Sequence, residues 1–149
     1  MRISFLLVLV LLSCAGCRAT ASSDAGVALW FGPGSAAYLA SQDVAEDSVR
    51  AVFDSLSFTT RSAGRELIGT SPAEREYFTL MGDREKIREV RVSLTPLSDG
   101  RTRIDASAEL LEGPVGSVHK RRTDPDEEWL EDFQRAVRKA LLERVPTDA

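Results

Sequence analysis

Three groups of side chains in this 149-residue chain have types and spacings that bear on chemistry: two cysteines, one histidine, and several carboxylates set among arginines. Cys14 and Cys17 are the only cysteines, and both directly follow an apolar run at the N-terminus. A thiolate is a nucleophile, so a cysteine placed there is a point for covalent modification. His119 is the only histidine. Hydrolytic triads and metal centres usually draw on histidine, but His119 lies in a charged stretch with no ligand spacing around it and reads as a solvated loop residue. Asp105 and Glu109 sit four residues apart on what reads as one strand, with Arg91 and Arg103 near the same face. Paired carboxylates can run acid/base chemistry without histidine, yet a cross-strand charge ladder accounts for this set. Asp124, Asp126, Glu127 and Glu128 are accounted for by the start of a helix. After Cys17 there is no HExxH, CxxC, phosphate loop or Rossmann fingerprint. Gly32-Pro33-Gly34 is too short to cradle a phosphate. These residues imply no catalytic, cofactor or metal site, and no enzymatic activity is expected.

The cysteines take their meaning from what precedes them. Arg2 is followed by a run from Ile3 to Leu12 that is apolar after Ser4. Ten residues are too few for a spanning helix, which needs roughly twenty, and match a secretory signal core. The segment Leu11-Leu12-Ser13-Cys14 resembles the lipobox of bacterial lipoproteins, with an aliphatic residue three before the cysteine and a small one just before it. Cys17 is the alternative: Ala15-Gly16 supplies the small pair, but Cys14 then stands where leucine is preferred. The resemblance implies diacylation of the cysteine thiol, cleavage that removes residues 1–13, and acylation of the new amine. One acyl chain holds a protein only marginally, whereas two or more anchor it stably. Neither Ala15 nor Arg18 is the aspartate that retains such proteins in an inner membrane. The expected location is therefore the periplasm-facing cell envelope, with the outer membrane favoured where the host has one.

Beyond the cysteines, residues 14–26 include the small polar stretch RATASSDAG and read as a lipidated cysteine region and flexible tether. Residues 27–145 are long enough for a single domain with its own core. With no cysteine after Cys17, packing and not disulfides must stabilise it. Removing Arg2 with the signal leaves 18 basic against 23 acidic residues, a net charge of −5, which argues against nucleic-acid binding.

The elements follow from periodicity and caps. Val27 to Phe31 is an apolar patch, read as a first strand or a cover over the core edge, with contact through Trp30 and Phe31 to a membrane or partner as the functional alternative. Residues 35–40 read as a short strand. A helix runs from Ser41 or Asp43, the latter with a capping box to Glu46, to about Leu56, with Ala45, Val49, Val52, Phe53 and Leu56 on one face. Ser57 to Ser62 and Glu66 to Thr70 pair as strands around Ala63-Gly64. Ser71-Pro72-Ala73-Glu74 predicts a helix over 72–81, with a strand over Tyr77–Leu80 competing. Val90, Val92 and Leu94 alternate with polar residues, as do Ile104, Ala106, Ala108 and Leu110, and Ser98-Asp99-Gly100 joins them as a hairpin. Leu111 to Thr123 reads as a loop containing Lys120-Arg121-Arg122. A last helix starts at Asp124-Pro125, with a stripe of Trp129, Phe133, Ala136, Val137, Ala140 and Leu141.

This order implies an α+β fold: an antiparallel sheet of about four to five strands, covered on one face by an early helix and a long C-terminal helix. The stretches Asp43-Val44-Ala45-Glu46-Asp47-Ser48-Val49 to Phe58, and Leu97-Ser98-Asp99-Gly100-Arg101-Thr102-Arg103-Ile104, resemble core patterns of small bacterial envelope lipoproteins with a helix-grip-like (BamC-like) domain. The resemblance spans roughly residues 36–144 and brings no catalytic or binding residue with it. The expected function is a membrane-anchored, non-enzymatic module that binds a protein partner in the envelope. The alternative is a carrier of a small apolar ligand between sheet and last helix, where Ala106 and Ala108 leave room.

Overall fold

Ser41 starts the first helix, α1 (Gln42–Ser55), because its extended backbone leaves its hydroxyl free to accept from the Val44 N–H. Asp43, an alternative cap in the sequence, instead lies in the first turn, where its charge suits the helix dipole. Glu46 and Arg50 add an i,i+4 ion pair at 2.7 Å. The helix stops where Ser57 turns left-handed at φ 58°, and the Phe58 N–H then donates to the Phe53 carbonyl. The computed structural model describes residues 27–77, 82–117, 121–122 and 127–144.

Among the described residues, eight strands form one antiparallel sheet: β1 (Val27–Gly32), β2 (Ser35–Tyr38), β3 (Thr59–Ala63), β4 (Glu66–Thr70), β5 (Glu74–Glu76), β6 (Arg84–Pro96), β7 (Thr102–Pro114) and β8 (Arg121–Arg122). The main path runs β1-β2-β7-β6-β4-β3. The long β6–β7 hairpin is its spine, in unbroken register from Arg84↔Pro114 to Pro96↔Thr102. Its turn-side half lies between β2 and β4, and its far half between β8 and β5. The second helix, α2 (Glu127–Arg144), packs beside α1. The expected α+β class, with an early and a C-terminal helix over an antiparallel sheet, is the observed one. The sheet is larger than four to five strands because β1, β5 and β8 extend its edges.

The core lies between the sheet and the two helices. Val49, Phe53, Val90, Val92, Ile104 and Val137 are fully enclosed there. Phe53, Phe58, Trp129 and Phe133 stack in a closed quartet, with successive ring centroids 5.4–6.0 Å apart. Arg88 caps it, its guanidinium carbon 5.0 Å from the centre of the Trp129 ring.

Two sequence expectations fail here. The helix expected over 72–81 is instead the short strand β5 over Glu74–Glu76, with Tyr77 outside it and residues 78–81 outside the described residues. Ser71, read as a helix cap, is a rung to β6: its N–H donates to the Arg88 carbonyl at 2.9 Å, and its hydroxyl accepts from the Arg88 N–H at 2.8 Å. Lys86 reinforces the pairing with a 2.5 Å bond to Glu76. That hydrogen bond raises the lysine above its ordinary pKa, opposed by desolvation and helped by the charges of Glu76, Glu112 and Glu74. The loop expected over 111–123 also shortens. Leu111 to Pro114 continue β7, and Arg121 and Arg122 form β8 opposite Glu112 and Leu111. The ladder with β6 satisfies these backbone groups, and a loop would leave them to solvent.

Candidate functional site

The carboxylates sit on the sheet face turned away from the helices. Asp105 accepts from the Ser35 hydroxyl at 2.5 Å and from Arg103 Nε at 2.9 Å. Glu109 stands opposite Glu89 in the β6–β7 register. Four residues of strand separate Asp105 from Glu109 by about 13 Å, beyond the roughly 5–10 Å at which two carboxyl groups share a reacting bond. Glu89 receives Arg91 through Nε at 3.1 Å and Nη2 at 2.8 Å, and Arg61 approaches at 3.9 Å. Ile68 pairs in register with Arg61 on one side and Arg91 on the other, and is only 2 % exposed. The arginine stems therefore roof an apolar residue on the outer face while their heads meet Glu89. Asp105 and Glu89 are each held by an arginine, and Glu109 faces Glu89 directly across the strand pair, so the charges form a ladder along β6 and β7.

The opposite corner, where β1 and β2 meet α2, is built differently. Gly34 ends the β1–β2 turn at φ 78°, and a Cβ there would lie 2.3 Å from the Ala106 carbonyl oxygen. Only glycine lets the turn come this close to β7. The Gly34 carbonyl accepts from the Ala106 N–H and from Gln134 Nε2, at 2.6 and 2.9 Å. Gln134 also donates to the Ile104 carbonyl at 3.4 Å, and its Oε1 accepts from the Tyr38 hydroxyl at 2.9 Å. This one fully buried side chain ties α2 to the turn, β7 and β2. The expected α2 stripe missed it: Leu130 and Gln134 are buried, whereas Ala136 faces solvent. The readable signal is a glutamine four residues after Leu130 and three before Val137, inside an otherwise apolar stripe.

Burial pushes the Tyr38 hydroxyl up to about 12, against a smaller lowering by the positive charge of Arg138. The neutral phenol is thus favoured by folding. The stabilisation is complete below pH 10 and is lost as pH rises through the folded value, for a total on the order of 2–3 kcal/mol. Denaturation midpoints taken from pH 9 to 12 are expected to fall more steeply in the wild type than in Tyr38→Phe. Equal slopes would remove the phenol as the cause.

Above this network, Trp30 and Tyr38 line an open cavity of about 270 Å³ with Glu131, Gln134, Arg135 and Arg138. Two other surface cavities lie among the described residues. One of about 450 Å³ lies at the turn end of β6, and one of about 350 Å³ lies between the helices. Ala106 and Ala108 line none of the three; both pack with the core instead. Trp30 is 46 % exposed and Phe31 51 %, with Arg103 stacked 4.8 Å over the Phe31 ring. Their strand exists as the sequence suggests, but neither ring is tucked into the core. Cys14, Cys17, His119 and Lys120 lie outside the described residues. Among the described residues, no group of three histidine, cysteine, aspartate or glutamate side chains could hold a metal ion, and no helix is long and apolar enough to cross a membrane.

The chain matches no protein-family model and no curated protein.

Proposed function

We propose that this protein is a lipid-anchored bacterial envelope module that acts by binding a protein partner and not by catalysis. The observation that carries the reading is the Leu11-Leu12-Ser13-Cys14 segment, placed behind a signal-like apolar run and joined by a short polar stretch to the edge strand of a folded domain. The ion-pairing of Asp105 with Arg103 and of Glu89 with Arg91 on the open sheet face supports the non-catalytic part. The acylated cysteine supplies the membrane affinity, and the α+β domain supplies the recognition surface. Labelled palmitate fed to cells is expected to enter the wild type and Cys17→Ala and to be lost in Cys14→Ala. Loss only in Cys17→Ala moves the anchor to that residue, and no label in the wild type removes the anchored reading.

A further inference from the structure

We infer that the β1 edge seats on the headgroup layer of the bilayer holding the anchor, with Trp30 and Phe31 as its contacts; this rests on the anchored reading above. The two rings straddle one edge. Trp30 pairs in register with core-facing Ala36 and so stands on the helix side, beside Glu131 and Arg135. Phe31 lies beneath Arg103, whose partner Asp105 belongs to the ladder on the other face. Leu39, 58 % exposed, follows the neighbouring strand. An edge strand ordinarily invites another strand to add to it. β1 discourages this, with register shifts between Val27 and Leu29 and again between Trp30 and Gly32 in only six residues. Such irregularities interrupt the repeat that an added strand requires, which leaves the side chains as the contact.

Chain length names the occupant. Twelve residues, 15–26, separate Cys14 from Val27. A stretch of that size reaches about 45 Å when fully extended, and a flexible chain of that length averages about 20 Å end to end. Trp30 is therefore held within a domain's width of the acyl chains, at an effective surface concentration on the order of millimolar. Tryptophan favours the membrane–water boundary, where its apolar body and polar N–H are both satisfied. Arg103 beside Phe31 and Arg135 beside Trp30 are ion-paired with Asp105 and Asp132 but remain exposed, and such guanidinium groups suit the phosphate level.

The test uses the full chain, purified from bacterial membranes and reconstituted in phosphatidylcholine–phosphatidylglycerol vesicles, with part of the phosphatidylcholine brominated on its acyl chains. Intact mass of the same preparation reports acylation. In the acylated protein, the brominated lipid is expected to quench the Trp30 emission, and Trp30→Phe is expected to abolish that quenching while Trp129→Phe retains it. Acylated protein with Trp30 emission untouched overturns the membrane seat, leaves the anchor standing and points to a protein partner for this edge. Quenching that persists in Trp30→Phe overturns it too. Unacylated protein overturns anchor and seat together.

Discussion

Replacing Phe53 by alanine is expected to cost the domain about 3–5 kcal/mol, a large part of the roughly 5–15 kcal/mol that holds a typical domain together. Phe53 is fully buried and stacks on both Phe58 and Phe133, at 5.9 and 5.5 Å between centroids. It thereby joins α1 to α2 and to the start of β3. Its ring also lies directly on Gly69 of β4, where an added Cβ would come within 2.5 Å of the ring edge. The surrounding aromatics leave that ring no room to swing aside, so Gly69→Ala should overpack the site, at about 1–3 kcal/mol. The two positions should then be coupled. Combined with Phe53→Leu, Gly69→Ala should cost clearly less than the sum of the single changes, because the smaller side chain removes the collision. Urea midpoints of the four proteins measure this, and strict additivity would show that close approach is not what requires glycine at 69.

Gln134→Leu is expected to cost about 2–3 kcal/mol, although leucine nearly matches the volume, because buried polar groups lose their partner. The Tyr38 hydroxyl is left with no acceptor, whereas the Gly34 carbonyl keeps the Ala106 N–H. Tyr38→Phe alone strands Gln134 Oε1 and should cost about 1–3 kcal/mol. The double change removes donor and acceptor together, so its cost should fall well below the sum. Thermal or urea unfolding of the four proteins gives the coupling, and a value near zero would mean that the hydroxyl finds another partner.

The parts of the fold legible in the sequence were those set by close neighbours. The α1 stripe from Ala45 to Phe53, the alternation of Val90, Val92 and Leu94, and the glycine turn at Ser98-Asp99-Gly100 each express a periodicity or turn rule acting over a few residues. The segment 72–81 shows the limit of such reasoning. Ser71-Pro72-Ala73-Glu74 has every local mark of a helix start, but Ser71 is drawn to Arg88, seventeen positions away, and the chain extends along β6. The same holds for Leu111 to Pro114, whose loop-like composition yields to the ladder.

For the candidate surfaces, the division is sharper. The proposed anchor at Cys14 or Cys17 and the apolar run before it are read from sequence order alone, without any fold. Trp30 and Phe31 could be singled out as an apolar patch, but their exposure on two sides of one edge follows from strand order and register. Gln134 acquires its role only when α2 brings it against Gly34, one hundred residues earlier, and Tyr38, ninety-six earlier. The sequence by itself determined the α+β class and the elements whose hydrogen bonds and apolar faces are local, and it alone carries the proposed anchor. Tertiary structure alone decided which polar groups are buried together and which aromatics stay outside, because those outcomes depend on contacts between segments that local periodicity cannot register.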